Sequence, residues 1–243
     1  MTGKRTAHER FPEVLAAAVR VFTLDGYRAA RMSDVAREVG LSEAALYRYV
    51  NGKESLFVLA IRHALLLEDL PADRFPLKAP SLGQMIEEAR SFVADAVPFG
   101  SLAAALAAPS AEDPSAENPA AELEAIAREL FVLESRTREA ADMIERSARD
   151  LPELADLLNE GFRAPVIDAL TGYLASRVKR GQLRATPDTG ATARLFLETL
   201  TWFARHRFSD PHGVAIAAQV AEDTAVDALL HALVPARYLG EDK

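Results

Sequence analysis

The sequence predicts an all-α protein with a small N-terminal helix-turn-helix domain and a larger helical domain after it. Apolar residues recur at helical spacing along most of the 243 residues. Alternating runs of β-branched residues, which are typical of half-buried strands, are missing. Two short predicted helices are joined by only Gly40-Leu41. We therefore expect one domain over residues 1–53 and a second over residues 54–243.

Composition excludes several kinds of chemistry. The chain has no Cys, so disulfides, cysteine-ligated zinc and thiol nucleophiles are ruled out. The polar stretch Met1 to Arg10 lacks the apolar segment of a signal peptide. The longest apolar runs fall well short of the roughly 18 residues that span a bilayer. We expect a soluble cytoplasmic protein that does not bind membranes.

Charge is distributed unevenly. The whole chain carries a net charge of −8, but residues 1–62 alone carry +3 and the remainder −11. Phosphates attract local cations rather than the charge of a whole chain. A mildly basic head on an acidic body is therefore compatible with DNA contact by the head, although +3 over 62 residues is also ordinary scatter.

The N-terminal helices follow from apolar spacing and from residues that favour helix ends. Phe11, Leu15, Ala18 and Phe22 recur at helical spacing and predict a helix over 8–25. Ser33 has the character of an N-cap, and a short helix from there ends at Gly40. Further predicted features are an N-cap at Ser42, a helix over 43–50, a capping box of Asn51 with Glu54, and a long helix from Lys53 to about Leu70.

The two short helices predict a helix-turn-helix. A helix of about seven residues is unstable alone, so it must pack on a neighbour, here the helix at 8–25. The two-residue turn throws the second helix across the first, and that second helix then projects as required to enter a DNA major groove. Leu46 and Val50 are expected to face inward.

The side chains around this second helix suit DNA contact. Tyrosine hydroxyls can donate to phosphate oxygens, and an arginine can bind phosphate or a guanine edge. Small alanines let the backbone approach DNA, serines place backbone N–H groups at helix N-termini, and a lysine can reach a phosphate. The predicted DNA-binding residues are Ser33, Ser42, Glu43, Ala44, Ala45, Tyr47, Arg48, Tyr49 and Lys53.

At these residues the sequence resembles the DNA-binding domain of TetR-family regulators. The matching strings are Met32 to Ser42, Ala45 to Val50 and Lys53 to Phe57, together with Ala17-Ala18, Phe22 and Gly26-Tyr27. The resemblance implies a three-helix DNA-binding domain followed by a helical ligand-binding and dimerisation domain. It implies a homodimer on a palindromic operator, usually a repressor released by a ligand, with Tyr47, Tyr49 and Lys53 at phosphate-contacting positions. Ala44-Ala45 departs from the Gly-Thr that is common in the family, and Val50 stands where Phe is common.

The body of the chain is expected to be helical over 82–97, 121–149, 153–180, 188–207 and 213–234. The last two of these helices are the dimer face in the family that the chain resembles. Apolar and small residues on both helices are compatible with close contact between copies, although ordinary core packing gives the same pattern. The predicted interface residues are Leu195, Thr199, Trp202, Phe203, Ala221, Ala225, Ala228, Leu229 and Ala232.

A pocket for a small hydrophobic effector is the less specific prediction. Ligand pockets are mostly apolar, and large apolar side chains lie on the helices that enclose the ligand site in the family. The same residues at helical spacing are more often plain core. The predicted pocket residues are Met85, Phe92, Phe99, Phe131, Met143 and Phe162.

Two other functions compete with DNA binding. An enzyme would need a catalytic constellation, but the five His are scattered and the chain has no metal-binding His motif, phosphate-binding loop or nucleophile elbow. We therefore expect no catalysis, no metal and no cofactor. The alternative of a helix-turn-helix that contacts protein, or of a regulator that senses no ligand, stays open. The sequence also does not distinguish repression from activation.

Overall fold

The computed structural model describes residues 7–65, 75–87, 100–107 and 118–240. Within these ranges the regular structure is helical, which confirms the predicted all-α class, and the extended pairing consists of one isolated parallel bridge between Val50 and Leu77. The α-helices are α1 (Ala7–Ala29), α2 (Met32–Glu38), α3 (Glu43–Leu46), α4 (Lys53–Ala64), α5 (Gly100–Ala107), α6 (Pro119–Arg136), α7 (Arg138–Ser147), α8 (Glu153–Leu158), α9 (Ala164–Lys179), α10 (Thr189–Ala204) and α11 (Ala218–Leu233). A further helical stretch covers 82–87.

The chain forms two compact units. The first comprises Met1–Phe92 and Thr137–Gly161, and the second comprises Val93–Arg136 and Phe162–Lys243. Each unit has its own apolar core.

In the first unit, α1 is the helix on which the others are built. The predicted apolar stripe is buried, with Phe11, Leu15, Ala18 and Phe22 all in the core. The helix continues to Ala29, four residues beyond the predicted end, but Gly26 interrupts it with a φ of 76°. A left-handed residue of this kind is strained for any side chain with a Cβ, so glycine is required at this kink.

Helix α2 begins two residues earlier than its predicted N-cap implies. Its N-cap is Arg31, in an extended conformation and without a capping side chain, and Ser33 lies exposed inside the first turn. The prediction of Ser33 as the N-cap is therefore wrong, because Met32 is buried in the core and starts the helix. Gly40 ends the helix as predicted, with a φ of 64° and a hydrogen bond from Leu41 N to Ala36 O of 2.8 Å.

Helix α3 has the N-cap that the sequence predicts but is shorter than predicted. The Ser42 hydroxyl accepts a hydrogen bond from Ala45 N at 3.2 Å. Beyond Leu46 the chain tightens into turns, and after them Tyr49 O accepts a hydrogen bond from Leu77 N at 2.8 Å. The hydrogen bonds from Arg48 N and Tyr49 N reach back three residues rather than four, so the α-helix predicted over 43–50 ends at Leu46 and continues as tighter turns.

Helix α4 starts at Lys53 as predicted, but not through a capping box. Its N-cap is Gly52, with a φ of 143° and no side-chain cap, so the pairing of Asn51 with Glu54 is wrong. The helix predicted from Lys53 to about Leu70 is described only as far as Leu65. The helix predicted over 82–97 is described only as far as residue 87. Helix α7 packs on α1 and α4 and completes the core of the first unit.

In the second unit, α6, α9, α10 and α11 surround the core, with α5 against α6 and α9. The helix predicted over 121–149 divides at Thr137, and the one over 153–180 is interrupted by a π-helical turn, Asn159–Arg163. Helix α10 is capped by Asp188, whose carboxylate accepts a hydrogen bond from Ala191 N at 2.6 Å. Helix α11 starts at Ala218, after a 3-10 turn at Gly213–Ala215.

A buried ion pair joins three of these helices. Arg177 on α9 donates two hydrogen bonds of 2.7 Å to the carboxylate of Glu122 on α6, and a third of 3.2 Å to Ala105 O on α5. The guanidinium also lies over the ring of Tyr173, 5.3 Å from its centroid. Both charges are almost fully buried, so this pair holds the helices together only while both partners are present.

Candidate nucleic-acid interface

Residues 42–50, named the recognition segment, stand on a buried apolar base. Leu46 and Val50 are completely buried in the core of the first unit, as predicted. Hydrogen bonds of the helical and 3-10 type continue from Leu46 N to Val50 N, so the segment is ordered along its length. A helix this short has little stability of its own, and its conformation therefore depends on these two anchors and on the Ser42 cap.

The opposite side of the recognition segment is exposed in the first unit. Tyr47 is 45% exposed, an unusual state for a large aromatic side chain. Arg48 is exposed beside it, and so are Ser42, Glu43 and Ala44. An amphipathic ring and a guanidinium on a projecting turn are suited to phosphate and base contact, and the small Ala44 leaves room for a groove edge.

Two of the predicted contact residues face inward instead. Tyr49 is only 7% exposed: its ring stacks on Phe11 with centroids 6.1 Å apart and meets Phe75 edge-on at 5.4 Å. Ala45 is buried as well. Ala45 and Tyr49 are four residues apart and lie on the same side as the buried Leu46 and Val50, not on the outer side where the sequence placed them. Contact of either residue with DNA stays a prediction.

Lys53 is held by the protein as well as being close to the interface. Its Nζ donates a hydrogen bond of 3.0 Å to Arg28 O and lies 4.8 Å from the centroid of the Tyr27 ring. Partial burial lowers the pKa of Lys53, and the Asp150 carboxylate opposes that fall. The lysine thus fixes the start of α4 against the end of α1, next to the recognition segment.

The end of α1 is hydrogen-bonded to the 137–161 segment, which lies far along the chain. Arg146 Nε donates a hydrogen bond of 3.1 Å to Leu24 O, and the Asp150 carboxylate accepts one of 2.9 Å from Arg28 N. At Gly26 an added Cβ would lie 3.4 Å from both Arg146 O and Asp150 Oδ2, so the backbones meet closely there. The 137–161 segment therefore braces the end of α1, which Lys53 also contacts through Arg28 O.

In the second unit, the predicted interface residues divide into exposed and buried sets. Leu195 is 61% and Trp202 37% exposed on α10, while Ala228 and Ala232 are exposed on α11. Thr199 and Phe203 are half-buried, and the Phe203 ring meets that of Trp202 edge-on at 4.9 Å. The other three, which face α6 and α10 inside a single chain, are core residues rather than interface residues: Ala221, Ala225 and Leu229.

The predicted pocket residues are not assembled into one site in either unit. Met85 and Met143 are completely buried in the core of the first unit. Phe131 is buried in the core of the second unit, and Phe162 packs on that core while partly buried. Phe92 and Phe99 lie outside the described residues. Met85 and Met143 pack within the core of the first unit, and Phe131 within that of the second, so their role as pocket residues stays a prediction.

A buried polar cluster in the second unit was not predicted from the sequence. Glu134 on α6 is 5% exposed, and Thr201 and Arg205 on α10 are also buried. Burial raises the pKa of Glu134, and the nearby charges of Arg205 and Arg163 oppose that rise. Arg163 in turn pairs with Glu198. A charged residue within an amphipathic helix usually faces solvent, so the sequence carries no signal for its burial.

The geometry of the first unit defines a class of protein. Three helices, a four-residue turn over 39–42 and an exposed segment with a tyrosine and an arginine make up a helix-turn-helix of the kind that DNA-binding proteins use. In the parts of the chain that the structure describes, no helix is long and apolar enough to cross a membrane. Nor does any group of three or more His, Asp or Glu in those parts form a site that could hold a metal ion.

Comparison with known proteins identifies the family. Residues 14–60 match the model of bacterial regulatory proteins of the tetR family, and residues 121–232 match that of the C-terminal domain of AefR-like transcriptional repressors. The chain belongs to the TetR family and is a DNA-binding transcriptional regulator. Proteins of this family are regulators rather than enzymes.

The chain is similar to several solved structures at low sequence identity. A TetR-like transcriptional regulator from Rhodococcus sp. RHA1 is 18% identical, with a TM-score of 0.50 over 94% of this chain and 96% of that one. SmeT, the repressor of the Stenotrophomonas maltophilia multidrug efflux pump SmeDEF, is 16% identical, with a TM-score of 0.48 over 98% and 96%. FadR from Bacillus subtilis, in complex with stearoyl-CoA, is 15% identical, with a TM-score of 0.46 over 90% and 97%. Among curated proteins, none matches the chain.

Proposed function

We propose that this regulator is a ligand-responsive repressor that binds a palindromic operator as a homodimer, with Tyr47 and Arg48 of each recognition segment at the DNA. The observation that carries the proposal is the sorting of the recognition segment, with Leu46 and Val50 completely buried and Tyr47 45% exposed. One such segment offers few contacts to DNA. Useful affinity therefore calls for two copies, with their segments about 34–36 Å apart in successive major grooves.

DNA binding is tested by fluorescence anisotropy with a labelled duplex from upstream of the protein's own gene and a random duplex of equal length. Affinity for both should fall steeply with salt, because phosphate contacts release counterions. Tyr47→Ala should lower the affinity for the two duplexes by the same factor, since a phosphate contact carries no sequence information. Selective loss on the upstream duplex would mean that Tyr47 reads bases. A wild-type affinity that does not change with salt would favour a helix-turn-helix that binds protein.

The dimer proposal rests on the apolar side chains that α10 and α11 leave exposed. Leu195 and Trp202 on α10 and Val220 on α11 are large and exposed in the single chain. A contiguous exposed apolar surface marks a protein contact, and we propose that these side chains belong to one such surface. The chemistry on both helices favours a second copy of the chain as that partner, because the small Ala228 and Ala232 permit close helix approach.

Sedimentation equilibrium tests this interface. The double variant Leu195→Glu, Trp202→Glu should be monomeric at concentrations where the wild type is dimeric, because each association would bury four uncompensated charges. Leu24→Glu is the matched control, since Leu24 is 74% exposed on the first unit. A wild-type monomer at all concentrations, or a double variant that still forms dimers, would contradict the proposal.

An effector is proposed to bind the second unit, with Phe131 and Phe162 as the candidate contacts that remain. A thermal-shift screen of small hydrophobic compounds tests this, because a ligand at about 100 times its Kd stabilises the native state by about 2.7 kcal/mol. A true effector should also release DNA, with a coupling of about 1–3 kcal/mol. A compound that stabilises the protein but leaves the anisotropy titration unchanged is not an effector.

A reporter assay tests repression. If the protein is a repressor, deletion of its gene should raise expression of a reporter controlled by the operator, and a fall in expression would indicate activation.

A further inference from the structure

The buried polar cluster of the second unit contains a hydroxyl group that makes no hydrogen bond. Thr201, on α10, is 1% exposed and lies close to the carboxyl of Glu134, yet its Oγ1 has no hydrogen-bond partner among the described residues. The Thr171 hydroxyl on α9, by contrast, donates to Ile167 O at 2.7 Å. A buried hydroxyl without a partner destabilises a fold and is uncommon in native proteins. The Thr201 hydroxyl is therefore open to a partner that the single chain does not supply.

The charges around this hydroxyl are already balanced by the protein. The carboxylate of Glu134 lies near the guanidinium of Arg205, and Arg163 pairs with Glu198. Arg194 also reaches Glu198 at 3.3 Å, but its side chain is 59% exposed and its charge stays in contact with solvent. A further ion brought into the cluster would be buried without a counter-charge, which costs much more than burying an uncharged polar group. The cluster therefore favours a neutral hydrogen-bonding partner.

Two aromatic side chains flank the cluster. Phe131 lies three residues before Glu134 on α6 and therefore on the same face of that helix, where it is buried in the core of the second unit. Phe162 packs on the same core but is only partly buried, as is the adjacent Arg163. These two residues end the π-helical turn Asn159–Arg163, and such turns are frequent at functional sites. Apolar walls, one open hydroxyl and a partly exposed edge are the features of a ligand site for a mostly apolar molecule.

We propose that the effector is an uncharged molecule with an apolar body and one hydroxyl or carbonyl group, and that this group hydrogen-bonds to Thr201 Oγ1. The proposal deepens the proposed response to an effector and rests on it. A threonine hydroxyl both donates and accepts, so either group can serve as its partner. Phe131 and Phe162 contact the apolar body. The balanced charges of the cluster select against ligands that carry an ion of either sign.

The test is isothermal titration calorimetry of the full chain with 1-octanol, octanoate and octylammonium, which share one apolar chain and differ in the charge of the head group. At about pH 8, where ionisation of Glu134 is favoured, 1-octanol should bind saturably and both ions at least about tenfold more weakly. Thr201→Val keeps the shape of the side chain without the hydroxyl and should lower the affinity for 1-octanol by about two- to tenfold. It should not lower the thermal midpoint of the ligand-free protein, because the hydroxyl has no hydrogen bond to lose. Thr201→Ser, which keeps the hydroxyl, should bind 1-octanol as the wild type does.

Thr171→Val is the matched control, because the Thr171 hydroxyl is already bound to Ile167 O, and its affinity for 1-octanol should equal that of the wild type. Absence of 1-octanol binding, tighter binding of either ion, or equal affinities for Thr201→Val and the wild type would overturn this inference. The proposed function would still stand if a compound of another class from the thermal-shift screen releases DNA. Failure of every screened compound to stabilise the protein would count against the response to an effector itself.

Discussion

Polar side chains are used in opposite ways in the recognition segment and in the core of the second unit. The recognition segment leaves Tyr47 and Arg48 in solvent and is held in place by apolar anchors and one hydroxyl cap. The second unit buries Arg177 and Glu134 among its helices, where Arg177 is hydrogen-bonded to Glu122 and Glu134 lies near the charge of Arg205. A polar group left exposed is available to a partner at little cost, whereas a buried one stabilises the fold only while its own partners remain. Substitutions in the two regions should therefore affect different measurements.

The largest effect is expected at the buried ion pair. Arg177→Ala leaves the Glu122 carboxylate buried without its partner, which should lower the free energy of unfolding by about 3–5 kcal/mol. Urea denaturation followed by tryptophan fluorescence measures this in the second unit, because Trp202 is the only tryptophan of the chain.

Arg128→Ala is the control for that measurement. Arg128 pairs with Glu124 and with Glu222 and Asp223 on α11, but its side chain is 37% exposed. Exposed pairs contribute about 0–1 kcal/mol each, so a much smaller loss is expected. Equal losses for the two arginines would show that burial does not decide how much these pairs stabilise the second unit.

Within the recognition segment, the two tyrosines should separate stability from binding. Tyr49→Ala removes a ring that packs on Phe11 and Phe75 and should destabilise the first unit by about 3 kcal/mol. Tyr47→Ala removes an exposed ring and should change stability by less than about 0.5 kcal/mol. Hydrogen exchange of the α1 amides reports the first unit alone, and comparable loss of protection in both variants would contradict the assignment of Tyr47 to the exposed side.

The sequence predicted the first unit better than the second, for physical reasons. Short helices with glycine ends and an apolar stripe have few ways to pack, so Leu46, Val50, Ser42 and Gly40 were all predicted in their observed roles. Tyr49 was not, because the period of the turns after Leu46 differs from that of an α-helix and Phe75 contacts the ring from 26 positions along the chain. Large apolar residues such as Met85 carry no sequence signal that separates pocket from core. Nor does the sequence show that Glu134 is buried, because the residues around it come from α10 and from the turn that precedes α9.

A smaller effect is expected at the helix cap. Ser42→Ala removes the hydroxyl that accepts a hydrogen bond from Ala45 N and should destabilise the first unit by about 1 kcal/mol. Ser33→Ala is its matched control, since Ser33 lies inside α2 and caps nothing, and it should change stability very little. Thermal unfolding followed by circular dichroism compares the two. A larger loss at Ser33 would place the start of α2 where the sequence predicted it.

The smallest effect, and the one that tests the second unit most directly, is a pH dependence. Burial raises the pKa of Glu134 above its ordinary value, so the folded state favours the protonated carboxyl. A raised carboxyl pKa means that the stabilisation is fully present below the unfolded-state pKa and is lost as the pH rises through the folded-state pKa. Glu134→Gln, which resembles the protonated form, should therefore gain in thermal midpoint relative to the wild type as the pH increases from about 4 to about 8.

The matched control for Glu134→Gln is Asp168→Asn, which neutralises an exposed carboxylate on α9 of the same unit. This control removes one negative charge from the same unit without removing a buried group, so it separates the effect of burial at Glu134 from the effect of net charge. Parallel curves for the wild type and Glu134→Gln would mean that the charges of Arg205 and Arg163 balance the cost of burial. A midpoint that falls for Glu134→Gln relative to the wild type as the pH rises would mean that these charges outweigh burial and that the Glu134 carboxylate stabilises the second unit at neutral pH.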